Sequence, residues 1–160
     1  MFPQMRPLPV LAATMLAGSL AVGSVPAAAD PLPAPSPTVD ITTNIVGFRN
    51  DQGKALVAVF RSADGFPGDA SKAVAKTAAP IAQGRARVVF QGLPAGVYAV
   101  AVIHDENGNG KLDTSWLGIP TEGIGASNDA KGKLGPPSFD AARMTVTAPG
   151  FVHTIHVVYL

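Results

Sequence analysis

The chain contains no cysteine. That absence removes thiol nucleophiles, zinc–thiolate sites, disulfides and a lipid-modified cysteine from consideration. Charge is scarce and balanced, with 12 Lys and Arg against 11 Asp and Glu in 160 residues. Such a composition gives no electrostatic grip on nucleic acid or on anionic lipid. Long apolar runs are missing too. The nearest approach, Leu8 to Gly23, is interrupted by Pro9 and Gly18 and falls short of the ~20 residues that a spanning helix needs. There is no internal repeat and no long amphipathic helix.

What that first segment does offer is the order of a secretory signal peptide: a weakly positive start at Arg6, an apolar stretch, and the small residues Ala27, Ala28 and Ala29. Cleavage after Ala29 is expected, with export to the periplasm or the medium and a mature chain beginning at Asp30. Taking 29 residues from 160 leaves 131, and the loss of Arg6 leaves 11 basic against 11 acidic residues. That length suits one domain with one core. An exported domain without disulfides must hold together by that core, with help from a metal where one is bound.

Asp30 to Thr38, DPLPAPSPT, carries Pro at every second position from Pro31 to Pro37 and reads as an extended linker. The domain then runs from residue 39 to 160. Short runs rich in Val and Ile, bounded by Gly, Pro, Asn and Asp, are the habit of an antiparallel β protein. Strands are expected over Val39–Val46, Lys54–Arg61, Ala73–Ala79, Arg85–Phe90, Val97–His104, Arg143–Thr147 and Val152–Tyr159. In the fourth, Ala86, Val88 and Phe90 alternate with Arg85, Arg87 and Val89, so one face is buried and the other wet. The fifth, VYAVAVI, is apolar on both faces, as a central strand covered on both sides would be. QGLPAG between them reads as a tight connection. The fold class expected is all-β: an antiparallel seven-stranded sandwich of two sheets with one long ordered loop, 105–142. Trp116, Leu117, Ile119, Ile124, Leu134 and Phe139 in that loop are expected to fold down over one end of the sandwich, Trp116 as the anchor.

The loop opens with HDENGNGKLDTSW. Counting Asp105 as the first position, Asn107 and Asn109 follow at the third and fifth, Gly110 is sixth, Lys111 is seventh with its backbone carbonyl, and Asp113 is ninth. This is the first part of an EF-hand calcium loop, because a chain curling round a hard cation points alternate side chains inward and needs Gly at the sixth position to turn sharply. At the twelfth position, where a bidentate Glu belongs, stands Trp116. The missing carboxylate is assigned first to Glu122 and second to Asp140. With so few charged ligands, calcium affinity should be weak, about 10⁻⁴ to 10⁻³ M. The alternative is an Asx-rich turn that satisfies its own backbone without an ion.

A hydrolase with His104 as base and Glu122, Ser127 or Ser138 from the loop is the rival functional reading. Adjacent residues on a strand point to opposite faces, which sets His104 poorly against Asp105 as its orienter; His104 is expected to cap its strand and bond the loop. His153 and His156 face opposite sides of the last strand and read as surface or edge residues. Arg85 and Arg87 share one solvated face.

VAVFRSADGFPGD, followed by VVFQGLPAGVYAVAVIHDENGNGKLDTSWLGIPTEGIGASNDAKGKLGPPSFDAA, resembles the bacterial exported domain-of-unknown-function family 2141 in the family's own order. FQGLPAGVYAV is also similar to the strand–turn–strand of transthyretin-like and carboxypeptidase-regulatory-like sandwiches, which implies a transthyretin-like or Ig-like arrangement. The hydroxyisourate hydrolases of the transthyretin-like group end in Tyr-Arg-Gly-Ser, whereas this chain ends in HVVYL, so their catalytic residues do not carry over. The expectation is an exported, non-enzymatic binding module whose calcium loop faces an envelope protein, a polysaccharide or a small ligand, with no nucleic-acid partner and no membrane span after signal cleavage.

Overall fold

Val39, Ile41, Thr43 and Ile45 fall on one face of an extended chain, and all four are buried. This is β1, Thr38–Val46. The computed structural model describes residues 37–160; the expected signal peptide and the linker up to residue 36 lie outside the described residues, and Thr38, assigned to the linker, is already the first residue of β1. There follow β2 (Lys54–Phe60), β3 (Ala75–Ala79), β4 (Arg85–Pro94), β5 (Gly96–Asp105), β6 (Gly123–Ala126), a 3-10 turn (Ser127–Asp129), the one-turn helix α1 (Phe139–Ala142), β7 (Met144–Val146) and β8 (Phe151–His156).

The strands form two sheets. One has the order β4-β1-β8; the other has the order β3-β2-β5-β6, with β7 paired to the opposite end of the same β5 edge. Their facing sides bury Val39, Ile41 and Ile45 against Val57, Val59, Val100 and Val102 in one continuous core. The fold is therefore the expected β-sandwich, with two corrections. Among the described residues there are eight strands rather than seven, since β6 lies inside the stretch expected to be loop. The sandwich is also not wholly antiparallel, because β1 and β8 run parallel with Ile41 opposite Phe151 and Ile45 opposite Ile155. QGLPAG is not a turn outside the strands: β4 continues through Pro94, bulging against β1 between Val39 and Ile41, and Ala95 alone separates it from β5. Tyr98 buries its ring there, and its hydroxyl donates back to the carbonyl of Pro94, which locks the corner between the sheets.

β5 is the central strand that its two apolar faces imply. Tyr98, Val100 and Val102 enter the main core. On the other side Ala99 and Ala101 are small enough to admit an aromatic lid, in which Phe60, Phe66 and Phe139 meet edge to face at centroid distances of 5.4 and 5.9 Å. Beside it, β6 reads GIGA because its neighbours come close. A Cβ at Gly123 would lie 2.5 Å from Val157 Cγ1, and one at Gly125 would lie 2.7 Å from Ile155 Cγ2. The carboxyl-terminal tail closes over this strand, with Ile124 and Val158 exchanging backbone hydrogen bonds of 2.9 and 2.8 Å. Among the described residues, no helix is long and apolar enough to cross a membrane.

Candidate functional site

β5 ends in Asp105, whose carboxylate is buried and folds back over the chain that follows. Its Oδ1 accepts from Asn109 N at 3.0 Å and its Oδ2 from Gly110 N at 2.9 Å. Gly110 makes this possible with φ +82°, a left-handed turn that other residues adopt at a cost. Asn107 Oδ1 accepts from Asn109 N and Asn109 Oδ1 from Lys111 N, each at 3.0 Å. The amide groups of Asn107 and Asn109 then point at Asp113, donating to its carboxylate at 2.5 and 2.9 Å. Glu122, from the far side of the loop, closes the circle: Oε1 accepts from Glu106 N at 2.9 Å and Oε2 from Asp113 N at 3.0 Å.

Asp105, Asn107, Asn109, Lys111, Asp113 and Glu122 are thus brought into one hydrogen-bonded loop. Asp140 is not, being on α1 and paired with Arg143 at 3.1 Å. The oxygens of the loop already satisfy backbone groups in the manner of an Asx-rich turn. They also form an all-oxygen donor set, the kind hard cations take. Among the described residues no three His, Cys, Asp or Glu side chains converge as a metal cluster. Asp105, Asp113 and Glu122 are linked through backbone N–H groups, so a cation shell here would draw on carboxamide and peptide oxygens as well. The carboxylate oxygens of Asp105 and Glu122 each accept one N–H here and keep a second lone pair, whereas Asp113 Oδ2 already accepts from both Asn107 and Asn109.

His104 lies immediately before the loop but faces the other way, into the core end of the sandwich, with no exposed surface. Its Nε2 donates to the carbonyl of Gln52 at 2.9 Å. A carbonyl can only accept, so Nε2 carries a proton; Nδ1 lies 2.7 Å from the Tyr159 hydroxyl and, in the neutral ring, accepts from it. Phe48 packs edge-on against the ring at 5.0 Å. His104 therefore bonds the β1–β2 turn and the carboxyl-terminal tail, rather than the long loop it was expected to bond. Around Tyr159, Arg49 N donates to the hydroxyl at 3.0 Å and the Arg49 guanidinium lies 4.6 Å from the ring centre. Burial raises the pKa of this phenol. Arg49 also pairs with Glu106 at 2.6 Å, in a geometry that brings the charges together without aiming an N–H at Oε1. Arg49, Gln52, Glu106 and Tyr159 carried no local signal in the sequence, because each gains its partner from a distant segment.

The two serines are committed to the fold. Ser127 Oγ accepts from Val100 N at 2.9 Å and donates to the Ala142 carbonyl at 2.6 Å; Ser138 caps α1 by accepting from Ala141 N at 3.2 Å. His153 is the expected edge residue, half-buried on β8 at the margin of its sheet. It points into the sandwich beside Thr43, 2.8 Å from its hydroxyl, and burial lowers its pKa to about 4. His156 is exposed and pairs with Asp129 at 2.8 Å. Burial works to raise the Asp129 pKa, but the hydrogen bonds from His156 outweigh it and the value is lowered. Arg85 and Arg87 stand on the wet face of β4 as expected, exposed beside Asn44 and Thr154.

Trp116 does not anchor the loop. It is 92% exposed, with Leu117 at 62% and Ile119 at 46%. The segment that carries them closes on itself instead: Ser115 N donates to the Ile119 carbonyl at 2.8 Å, Gly118 N to the Ser115 carbonyl at 2.9 Å, and Thr121 N to the Asp113 carbonyl at 3.0 Å. A narrow finger results, directly continuous with the Asp105–Asp113 loop.

Residues 43–152 match the sequence model of a family described as an uncharacterized protein conserved in bacteria, DUF2141. No curated protein and no solved structure matches the chain.

Proposed function

The chain belongs to this bacterial DUF2141 family, and we propose that it is an exported, non-enzymatic β-sandwich module whose loop from Asp105 to Glu122 takes up one calcium ion and presents the adjoining finger to a partner in the cell envelope. An envelope protein, a polysaccharide and a small ligand are the partner classes in keeping with a chain of balanced charge. The observation that supports the calcium reading most is the meeting of Glu122 with the loop. Its carboxylate bonds the backbone N–H of Asp113 at 3.0 Å, so Glu122, six residues beyond Trp116, is placed against the loop where it could stand in for the carboxylate missing at the twelfth position. Asp105, Asn107, Asn109, Asp113, Glu122 and the carbonyl of Lys111 would hold the ion. Bound there, it would replace the two carboxamide N–H donors that now hydrogen-bond Asp113.

A hydrolytic role through His104 has less support. A general base must reach the proton it removes, and this ring is enclosed by Phe48, Gln52 and Tyr159. Export rests on the residues before Asp30. Sequencing the amino terminus of protein recovered from the envelope or medium tests it, with Asp30 the expected first residue and an intact Met1 the contrary result.

The calcium reading is tested by calorimetric titration of chelator-treated protein. One ion per chain is expected, with Kd about 10⁻⁴ to 10⁻³ M, lost in Asp105→Asn. A titration without binding heat, alongside an unchanged Asp105→Asn profile, would leave the loop as an Asx-rich turn.

A further inference from the structure

We infer that the finger formed by residues 114–121 inserts shallowly into a phospholipid bilayer. The inference takes from the proposed function only that the loop presents a surface; it does not depend on calcium. Three features of the finger point to lipid. Between Asp113 and Glu122 all eight residues are uncharged, so the tip can leave water without stripping a charge of its hydration. Much of its backbone is paired from within, through Ser115 to Ile119, Gly118 to Ser115 and the Thr114–Pro120 bridge, and Ser115 Oγ accepts a further bond from Ile119 N at 3.3 Å. That pairing lowers the cost of leaving water, and at shallow depth headgroup oxygens can accept from the N–H groups of Trp116 and Leu117 at the tip. The outermost side chains are Trp116 and Leu117, and a Trp ring with its one N–H prefers the boundary between acyl chains and headgroups.

The size of the patch argues against the other occupants. Trp116, Leu117 and Ile119 together present an area on the order of a few hundred Å², below the roughly 800 Å² per partner of a standard protein interface. A second copy or a folded partner would therefore need contacts beyond the finger. A bilayer needs no shape complement and accepts a protruding tip. Since no charge takes part, zwitterionic vesicles should serve as well as anionic ones. The affinity should not exceed the ~10⁴ M⁻¹ of a single myristoyl chain, so millimolar lipid is required.

Trp116 is the chain's one tryptophan, which makes its fluorescence a reporter of the tip itself. The full chain is mixed with phosphatidylcholine vesicles and, separately, with phosphatidylglycerol vesicles, in chelator and in calcium. A blue shift of the emission with both lipids is expected, together with its loss in Leu117→Asp and Ile119→Asp, which keep the probe. Emission that stays put overturns the inference, including the case where the protein sediments with vesicles through its amino-terminal segment alone. A shift equal in wild type and both variants, or one produced by concentrating the protein without lipid, overturns it too. If the shift persists while calcium titration gives no heat, the calcium reading fails and the lipid reading stands; the reverse outcome removes the lipid reading alone.

Discussion

Replacing Ser127 by Ala should destabilise the protein far more than the loss of one exposed hydroxyl would. β5 pairs with β7 as far as Tyr98 and with β6 from Ala101 onward, so along that edge no strand lies beside Ala99 and Val100. The Ser127 hydroxyl fills the gap. It accepts from Val100 N at 2.9 Å and donates to the Ala142 carbonyl at 2.6 Å, in a residue with no exposed surface. Removing it leaves a buried N–H without an acceptor and a carbonyl without its donor, at about 1 to 3 kcal/mol for the first and less for the second. A total of about 2 to 4 kcal/mol is a large part of the ~5 to 15 kcal/mol that holds a domain together. With a urea slope of about 2 kcal/mol per molar, the midpoint should fall by roughly 1 to 2 M. Far-ultraviolet circular dichroism is the suitable signal, because Trp116 is already exposed in the folded state. Ser71→Ala, whose hydroxyl donates to Asp69 at the surface, is the control and should stay within about 0.5 kcal/mol. A Ser127→Ala midpoint indistinguishable from that control would refute the view that this side chain splices the sheet edge.

Three further outcomes are expected. Val100→Ala should cost about 2 kcal/mol through lost methyl groups and the space they leave, whereas Val89→Ala, at 45% exposure on the wet face of β4, should cost well under 1 kcal/mol; equal urea midpoints would misplace the inner strand. His153 has a folded pKa of about 4 against an ordinary 6.5, so the unfolded chain takes up its proton first as pH falls, and the stability tied to the neutral ring is whole above pH 6.5, declines from there to pH 4 and is gone below. Urea unfolding at pH 7 and pH 5 should differ by about 2 kcal/mol from this group, and His153→Leu should flatten the difference; an unchanged pH dependence in that variant would show that burial of the ring does not carry it. Gly53→Ala should destabilise by more than the ~1 to 2 kcal/mol of a left-handed backbone alone, since φ there is +68° and a Cβ would lie 1.9 Å from the Asp105 carbonyl; a thermal midpoint within a degree of wild type would be the contrary result.

How far the sequence reveals the fold depends on whether a residue's partners are local. The alternation in β4 and the two apolar faces of β5 are written into adjacent residues, and the strands stand where those patterns place them. β6 escapes that reading because Gly123 and Gly125 lower strand propensity, and their reason for being Gly is the approach of Val157, Tyr159 and Ile155 from the other end of the chain. The parallel pairing of β1 with β8 spans about a hundred residues and has no local mark. The same limit applies at the loop. Asp105, Asn107, Asn109 and Asp113 form a pattern within nine residues, and Glu122 is near enough to be named as their partner. His104 is adjacent in sequence, yet its neighbours Gln52 and Tyr159 are not, and its enclosure could not be read from HDENG. Trp116 shows the converse. Apolarity gave a reason to bury it, but the finger pairs much of its own backbone and leaves the ring outside.

The central claim is that the loop from Asp105 to Glu122 takes up calcium, and the most direct measurement is the melting temperature of chelator-treated protein with 10 mM calcium, with 10 mM magnesium, and with neither. At a Kd of about 10⁻⁴ to 10⁻³ M, calcium at that concentration should stabilise the folded state by about 1.4 to 2.7 kcal/mol, a rise of roughly 5 to 10 °C for a domain of this size. Magnesium, which sheds its water reluctantly and prefers a tight octahedron, should do much less. Asp113→Asn should abolish the calcium shift, Glu122→Gln should weaken it, and Asp129→Asn, whose carboxylate serves His156 instead, should leave it intact. A wild-type melting point that calcium raises no further than magnesium does would contradict the claim.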